Sequence, residues 1–467
     1  MNIQIYKSKR VLIDGNFDAA SLLVSDGIIT EIRAFDLDTA EYEDAVVHDF
    51  GHKLIIPGLV DTHVHINEPG RTHWEGFHYA TRAAAAGGIT SLVDMPLNSS
   101  PVTTNVSALE QKLRSFKGNG WVDCGFWGGV VPQNIDDLDD LLDAGVLGLK
   151  AFTIESGIDE FPEVNAEHLT KVMRKIGKYQ LPLLVHAELQ DCNTEHDVLQ
   201  GTPIGKSYSR FLASRPKSWE NNAIKLLIAL ASSTNDDGIL TKLHIVHLSS
   251  SDALSLIKEG KEKGLRISAE TCPHYLSLFS EAIPDGNCIF KCCPPIRDNA
   301  NRDLLWGGLA DGTIDFIVSD HSPSPPELKQ LESGDLENAW GGIASIQFGL
   351  PLSWTEAKNR GFELSKVVEW MSTNPAKFCG LGKRKGRLAP SFDADFVVFD
   401  DHAEYVIEEQ NIFYRHKLSP YIGARVTGVV EKTYLRGNLV YSDGDIIGVP
   451  KGQTLMNHRH SLNEGSV

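Results

Sequence analysis

Apolar residues come in short runs along this chain, and the runs differ in character between the ends and the middle. Residues 1–50 carry brief strand-like segments bounded by turns. Val11-Leu12-Ile13 precedes Asp14-Gly15, and Leu22-Leu23-Val24 precedes Asp26-Gly27. The same texture returns from residue 387 onward, in Phe396-Val397-Val398-Phe399, Val426 to Val430, Thr433-Tyr434-Leu435 and Leu439-Val440-Tyr441. The pattern predicts one smaller β-sandwich domain assembled from residues 1–56 and 387–467, ending in a C-terminal tail.

Residues 57–386 repeat a different rhythm. Apolar runs end near Leu59-Val60, Ser91-Leu92-Val93, Cys124-Gly125-Phe126, Leu147-Gly148-Leu149, Leu183-Leu184-Val185, Leu243 to Val246, Leu265-Arg266-Ile267 and Phe316-Ile317-Val318. Helix-like stretches lie between them, at Trp74 to Ala86, Val106 to Phe116, Ala166 to Lys178, Asn222 to Ala231, Asp252 to Lys263 and Arg302 to Ala310. Continuous apolar strands are buried on both faces, which means a parallel sheet. Eight such units predict a (β/α)8 barrel, with an open doubly wound sheet as the alternative. No Gly-x-Gly-x-x-Gly follows the first run, which argues against the dinucleotide-binding form of that alternative.

Composition narrows the partners. The 467 residues carry a formal net charge of −18, so nucleic acid and anionic membrane surfaces are poor partners. Apolar runs are too short for a membrane span, and Met1 to Gly15 lacks the apolar core of a signal peptide. Seven cysteines at irregular spacing, with no Cys-x-x-Cys, argue against a disulfide framework or a thiolate zinc site. A reducing compartment is expected, the cytoplasm by default and an organelle as the alternative.

Chemistry in a barrel sits at the C-terminal ends of the strands. The first run leads into Asp61-Thr62-His63-Val64-His65, whose two histidines share one face of an extended strand and converge on one ion. The fourth leads into Lys150, the fifth into His186, the sixth into His247 and the eighth into Asp320. Lys150 at a strand mouth is either a snorkelling or ion-paired lysine or a desolvated nucleophilic amine. Such an amine adds carbon dioxide to give a carbamate, an anionic two-oxygen ligand able to bridge two metals. Asp320 alone could be a turn or helix-capping carboxylate. His247 stands at the end of its run and reads as the ligand, whereas His244 reads as packed or hydrogen-bonded. Four imidazoles and a carboxylate suit zinc or a similar divalent ion.

At these residues the sequence resembles the amidohydrolase superfamily, and within it the cyclic amidohydrolases. The resemblance runs from Pro57-Gly58-Leu59-Val60-Asp61-Thr62-His63-Val64-His65 to Asp393-Ala394-Asp395-Phe396-Val397-Val398 and Pro420-Tyr421-Ile422-Gly423. The stretches Glu68 to Phe77, Asp94 to Ser99, Ser156 to Pro162, Cys292 to Asp298 and Ala339 to Ile343 are similar to the loops of the allantoinase branch. Asn67 stands where dihydroorotases place an arginine, and residues 151–156 lack the tyrosine usual in dihydropyrimidinases.

The resemblance implies two divalent ions, taken as Zn2+ and bridged by N6-carboxylated Lys150. His63, His65 and Asp320 would hold one and His186 and His247 the other, with Asp320 as the proton shuttle. It implies hydrolysis of the ring amide of allantoin to allantoate in purine catabolism, by a homotetramer acting on a small ureide. The alternatives are a dihydropyrimidinase or hydantoinase, and a noncatalytic scaffold that would have no need of the full ligand set. Substrate contacts are expected from Cys292, Cys293 and Ser322, with small apolar packing as the other role for the two cysteines. His274 reads as a neighbour of the ligands or a structural histidine. His73 and His321 lie near mouth loops, and His458 and His460 read as surface residues.

Overall fold

The computed structural model describes residues 3–42, 44–190 and 202–457. His458 and His460 lie outside them. The first five strands, β1 (Gln4–Ile13), β2 (Asn16–Ser25), β3 (Ile28–Ala34), β4 (Val46–Asp49) and β5 (Leu54–Pro57), precede the barrel. The barrel strands are β6 (Leu59–Val64), β7 (Ile89–Asp94), β8 (Asp123–Phe126), β9 (Gly128–Gly129), β10 (Leu149–Phe152), β11 (Pro182–His186), β12 (Lys242–Ile245), β13 (Ile267–Thr271) and β14 (Phe316–Ile317). Then come β15 (Phe396–Val406), β16 (Arg425–Leu435), β17 (Asn438–Ser442), β18 (Asp445–Ile446) and β19 (Thr454–Leu455).

Strands from the two ends of the chain form one nine-stranded sheet, in the order β18-β17-β16-β15-β5-β1-β2-β3 with β4 beside β1. The seam between the ends is the antiparallel pair β5–β15, in register Phe396↔Pro57 to Phe399↔Leu54. Tyr6, Leu22, Ile55, Phe396 and Val398 fill its core. At the seam the strands are buried on both faces, all of β5 and Phe396 to Phe399 of β15, and only the outer half of β15 alternates toward solvent.

The middle of the chain closes on itself. Strands β6, β7 and β8 pair in parallel, and β9 through β14 form a second parallel run. Chain continuity joins the two at β8 and β9. The ring shuts where Val64 bridges His321 in parallel and the His65 amide donates to the His321 carbonyl at 2.8 Å. The barrel strands are largely buried, as in β11, where all of Pro182 to His186 are buried.

Helix boundaries differ from the sequence expectation in several places: the helix expected from Arg302 begins at Asn299, and two others differ for local reasons. Gly76 has φ +91°, so the first barrel helix begins after it, at Phe77, and Trp74 stays in the preceding turn. The helix expected from Asn222 to Ala231 runs from Lys217 to Asp236. Its first turn buries Trp219 beside Glu220, and the buried Glu220, which faces Arg297, interrupts the apolar period there. Elsewhere the signals are direct. The helix Ala166–Tyr179 is opened by an Asn165 side chain that accepts from His168 N and buries Leu169, Val172, Met173 and Ile176 on one face. Each such side chain contributes about 1.5–3 kcal/mol of burial. Among the described residues, no helix is long and apolar enough to cross a membrane.

Candidate metal centre

All six side chains singled out at the strand ends line one cavity of about 280 Å³ at the C-terminal mouth of the barrel. His63 and His65 leave β6 on the same side. Ligand atoms of His63, His65 and Asp320 lie within 4.8 Å of one another, and all three residues are buried. His63 Nε2 is 3.2 Å and His65 Nε2 3.5 Å from Asp320 Oδ1. Across the cavity the rings of His186 and His247 are 4.6 Å apart, and His247 is 5.3 Å from His63. Lys150 enters between the two groups from β10. Its Nζ is fully buried and has no hydrogen-bond partner among the described residues. It lies 4.8 Å from the centre of the Phe152 ring, which stacks on His186.

Electrostatics follow from burial. Desolvation pushes Lys150 down to about 7, so much of this amine is neutral at physiological pH. Desolvation also pushes His63, His186 and His247 down, which keeps their ring lone pairs available to a metal. Burial opposes ionisation of Asp320, but His63, His65 and His247 outweigh it and hold that carboxyl well below the usual range. His247 (φ +37°) and Asp320 (φ +42°) are both in the left-handed backbone region that favours glycine. Strain of about 1–3 kcal/mol at such positions is retained where function requires the side chain's direction.

The sequence reading missed the carboxylates behind these histidines. Glu270, on β13, accepts from His63 Nδ1 and, 3.0 Å away, from His244 Nε2. His244 also reaches Ser268 Oγ at 2.7 Å. Glu188 accepts from His186 Nε2 at 2.7 Å and is held by Arg215. Both glutamates are fully buried, and burial of an ionised carboxylate requires such partners. A signal was present for one of them. Glu188 follows His186 at the two-residue spacing that brings side chains to one face of an extended chain, whereas Glu270 sits in the polar stretch Ser268-Ala269-Glu270-Thr271, past the run read as ending at Ile267, and gave no such signal.

Cys292, Cys293 and Ser322 also border the cavity. The Ser322 hydroxyl is engaged with Asp320, 2.9 Å from Oδ1. The Cys292 thiol is buried and donates to the Pro294 carbonyl at 3.3 Å, so Cys293 is the more open of the pair. His274 is fully buried and within 4.8 Å of Asp320 and Cys272. His321 accepts from the Ser345 amide at 3.1 Å, and His73 is exposed.

A closed parallel barrel with imidazoles, a lysine and an aspartate gathered at its strand ends defines a metal-dependent hydrolase, and the chain belongs to the amidohydrolase family, whose model matches residues 54–440. The chain is 46% identical to an allantoinase of Streptomyces avermitilis over 97% of its own length and 98% of that protein. It is 45% identical to an allantoinase of Arabidopsis thaliana, covering 94% of this chain and 88% of the other. Among solved structures, an L-hydantoinase (dihydropyrimidinase) from Arthrobacter aurescens superposes with a TM-score of 0.89 at 29% identity, covering 98% of this chain and all of that one.

Proposed function

We propose that the chain is an allantoinase that opens the hydantoin ring of allantoin to give allantoate, in purine catabolism. The observation that carries the chemistry is Lys150 Nζ, a buried amine without a hydrogen-bond partner among the described residues, set between two groups of metal-type ligands. Sequence identity to allantoinases over nearly the whole chain supports the substrate.

The residues fit a pair of divalent ions, which we assign as zinc. His63, His65 and Asp320 would hold one, His186 and His247 the other, and N6-carboxylated Lys150 would join both. Carboxylation accounts for the orphaned amine: the neutral Lys150 Nζ adds carbon dioxide and releases one proton, which leaves an anionic carbamate suited to lie beside cations. When bound, the ions supply Lewis acidity and lower the pKa of water toward neutrality. Asp320 takes the proton of the attacking water and returns it to the leaving ring nitrogen. Ser322 orients Asp320 through the bond to Oδ1. Cys293 and the segment Asn338 to Gly342 bound the space for the ring. Family resemblance supports a homotetramer, and the cysteine pattern supports the cytoplasm.

The test is a substrate panel. Turnover of allantoin with hydantoin, dihydrouracil and dihydroorotate left intact is expected. Preference for dihydrouracil or a simple hydantoin would move the protein to the dihydropyrimidinase group.

A further inference from the structure

The two histidines backed by carboxylates are not supported alike. Glu270, behind His63, is sealed: its other imidazole partner, His244, is fully buried in the barrel. Glu188, behind His186, connects to the substrate cavity. The Arg215 guanidinium grips it with two bonds, Nε to Oε1 at 3.2 Å and Nη2 to Oε2 at 2.5 Å. The same guanidinium borders the cavity, with its side chain 21% exposed.

Arg215 is itself fixed from behind. Its carbonyl accepts from Arg297 Nη1 at 3.1 Å, and its guanidinium lies 5.6 Å from the centre of the Trp219 ring. At the other end of the chain of contacts, Thr153 Oγ1 donates to the Glu188 carbonyl at 2.8 Å, and the Glu188 amide donates back to it at 3.1 Å. With Nε2 of His186 bonded to Glu188, Nδ1 is the nitrogen left for a metal. Two of the three guanidinium nitrogens serve Glu188, and Nη1 makes no hydrogen bond among the described residues.

Resting on the metal-hydrolase reading above, we infer that Arg215 is a positioning residue that couples substrate binding to His186. One edge of its guanidinium fixes Glu188 and so the His186 ring, while Nη1 offers an N–H to a carbonyl oxygen of the bound ureide. A fork of this kind needs arginine: lysine keeps the charge but gives up the paired, planar bonds.

The experiment compares wild type, Arg215→Ala, Arg215→Lys and Glu188→Gln as purified, metal-loaded proteins. It reads kcat and KM for allantoin, and metal affinity by titration against a chelator. Arg215→Ala is expected to raise KM and to weaken the second equivalent of metal, each by about 10- to 100-fold. Added guanidinium ion should restore part of both. Arg215→Lys should keep the first metal and the fold while KM still rises about tenfold. Glu188→Gln should weaken the second metal with KM nearly unchanged, because Nη1 remains. Native KM and native affinity for both metals in Arg215→Lys and Arg215→Ala would overturn the inference. So would losses in Arg215→Ala that match those of Glu188→Gln and ignore guanidinium, since these describe a structural brace. A wild-type protein that binds no metal and opens no ring would overturn the functional reading itself, and the inference with it.

Discussion

His63 Nε2 lies 3.2 Å from Asp320 Oδ1, although the two residues are 257 positions apart in the chain, one in the first barrel strand and the other after the last. Barrel closure is what makes this contact. The Val64↔His321 bridge sets the two strand ends side by side, so the site exists only in the closed ring. Asp320→Ala removes a group proposed as both ligand and proton carrier. It is expected to lower kcat by about 10²–10⁴ even when metal is supplied in excess. Steady-state kinetics with parallel metal analysis checks this, and full activity in a protein holding both metals would remove Asp320 from the proton transfer.

Lys150 gives a prediction independent of turnover. If its buried amine carries a carboxylate, intact protein analysed under native conditions is heavier by one carbon dioxide, and ¹³C-labelled bicarbonate yields a carbamate resonance. Lys150→Ala is expected to lose the added mass, most of the metal and nearly all activity. An unmodified Lys150 in a fully active, metal-loaded protein would contradict the bridging role.

The buried glutamates set an acid limit on the metal-free fold. Burial alone would raise both, but Arg215 and His186 hold Glu188, and His63 and His244 hold Glu270, at about 2 against an ordinary 4.5. Folded pKa values below the unfolded ones mean stability that is present above 4.5 and is lost as pH falls through about 2. Denaturant midpoints of chelated protein from about pH 6 to pH 2 should fall more steeply for wild type than for Glu270→Gln. Parallel slopes would count against it.

A second buried ion cluster joins the barrel floor to the sheet domain. Lys385 Nζ lies 2.6 Å from Asp123, 2.7 Å from Asp393 and 2.6 Å from Asp395. Arg436 reaches Asp123 from the turn after β16. The three carboxylates group closely enough to suggest a metal, but the ammonium occupies their centre. Lys385→Met leaves them facing one another and should cost about 3–5 kcal/mol by chemical denaturation. Unchanged stability would show that the cluster relaxes to water.

Much of this architecture was legible in the sequence because burial leaves a simple trace. Apolar runs marked the barrel strands, although the fourth and seventh were read as ending near Leu149 and Ile267, where β10 and β13 begin, and the ends of the first, fourth, fifth, sixth and eighth runs pointed to the metal-type side chains. What escaped was carried by residues whose partners are distant in the chain. Glu270 acquires meaning only when β13 lies beside β12 and across from β6, bringing it to His244 and His63. Arg215 lies in a stretch with no periodic signal, and only the fold sets it against Glu188. The start of the helix at Lys217 was hidden for the same reason: buried Glu220, committed to Arg297, interrupts the apolar period beside Trp219.

The most direct test of the central claim is ring opening of allantoin by the purified protein, scored as allantoate, before chelation, after chelation and after zinc is returned. The account predicts rapid turnover, abolished by the chelator and restored by about two equivalents of metal per chain. Turnover that survives complete removal of metal, or a fully metallated protein that leaves allantoin intact, would contradict it.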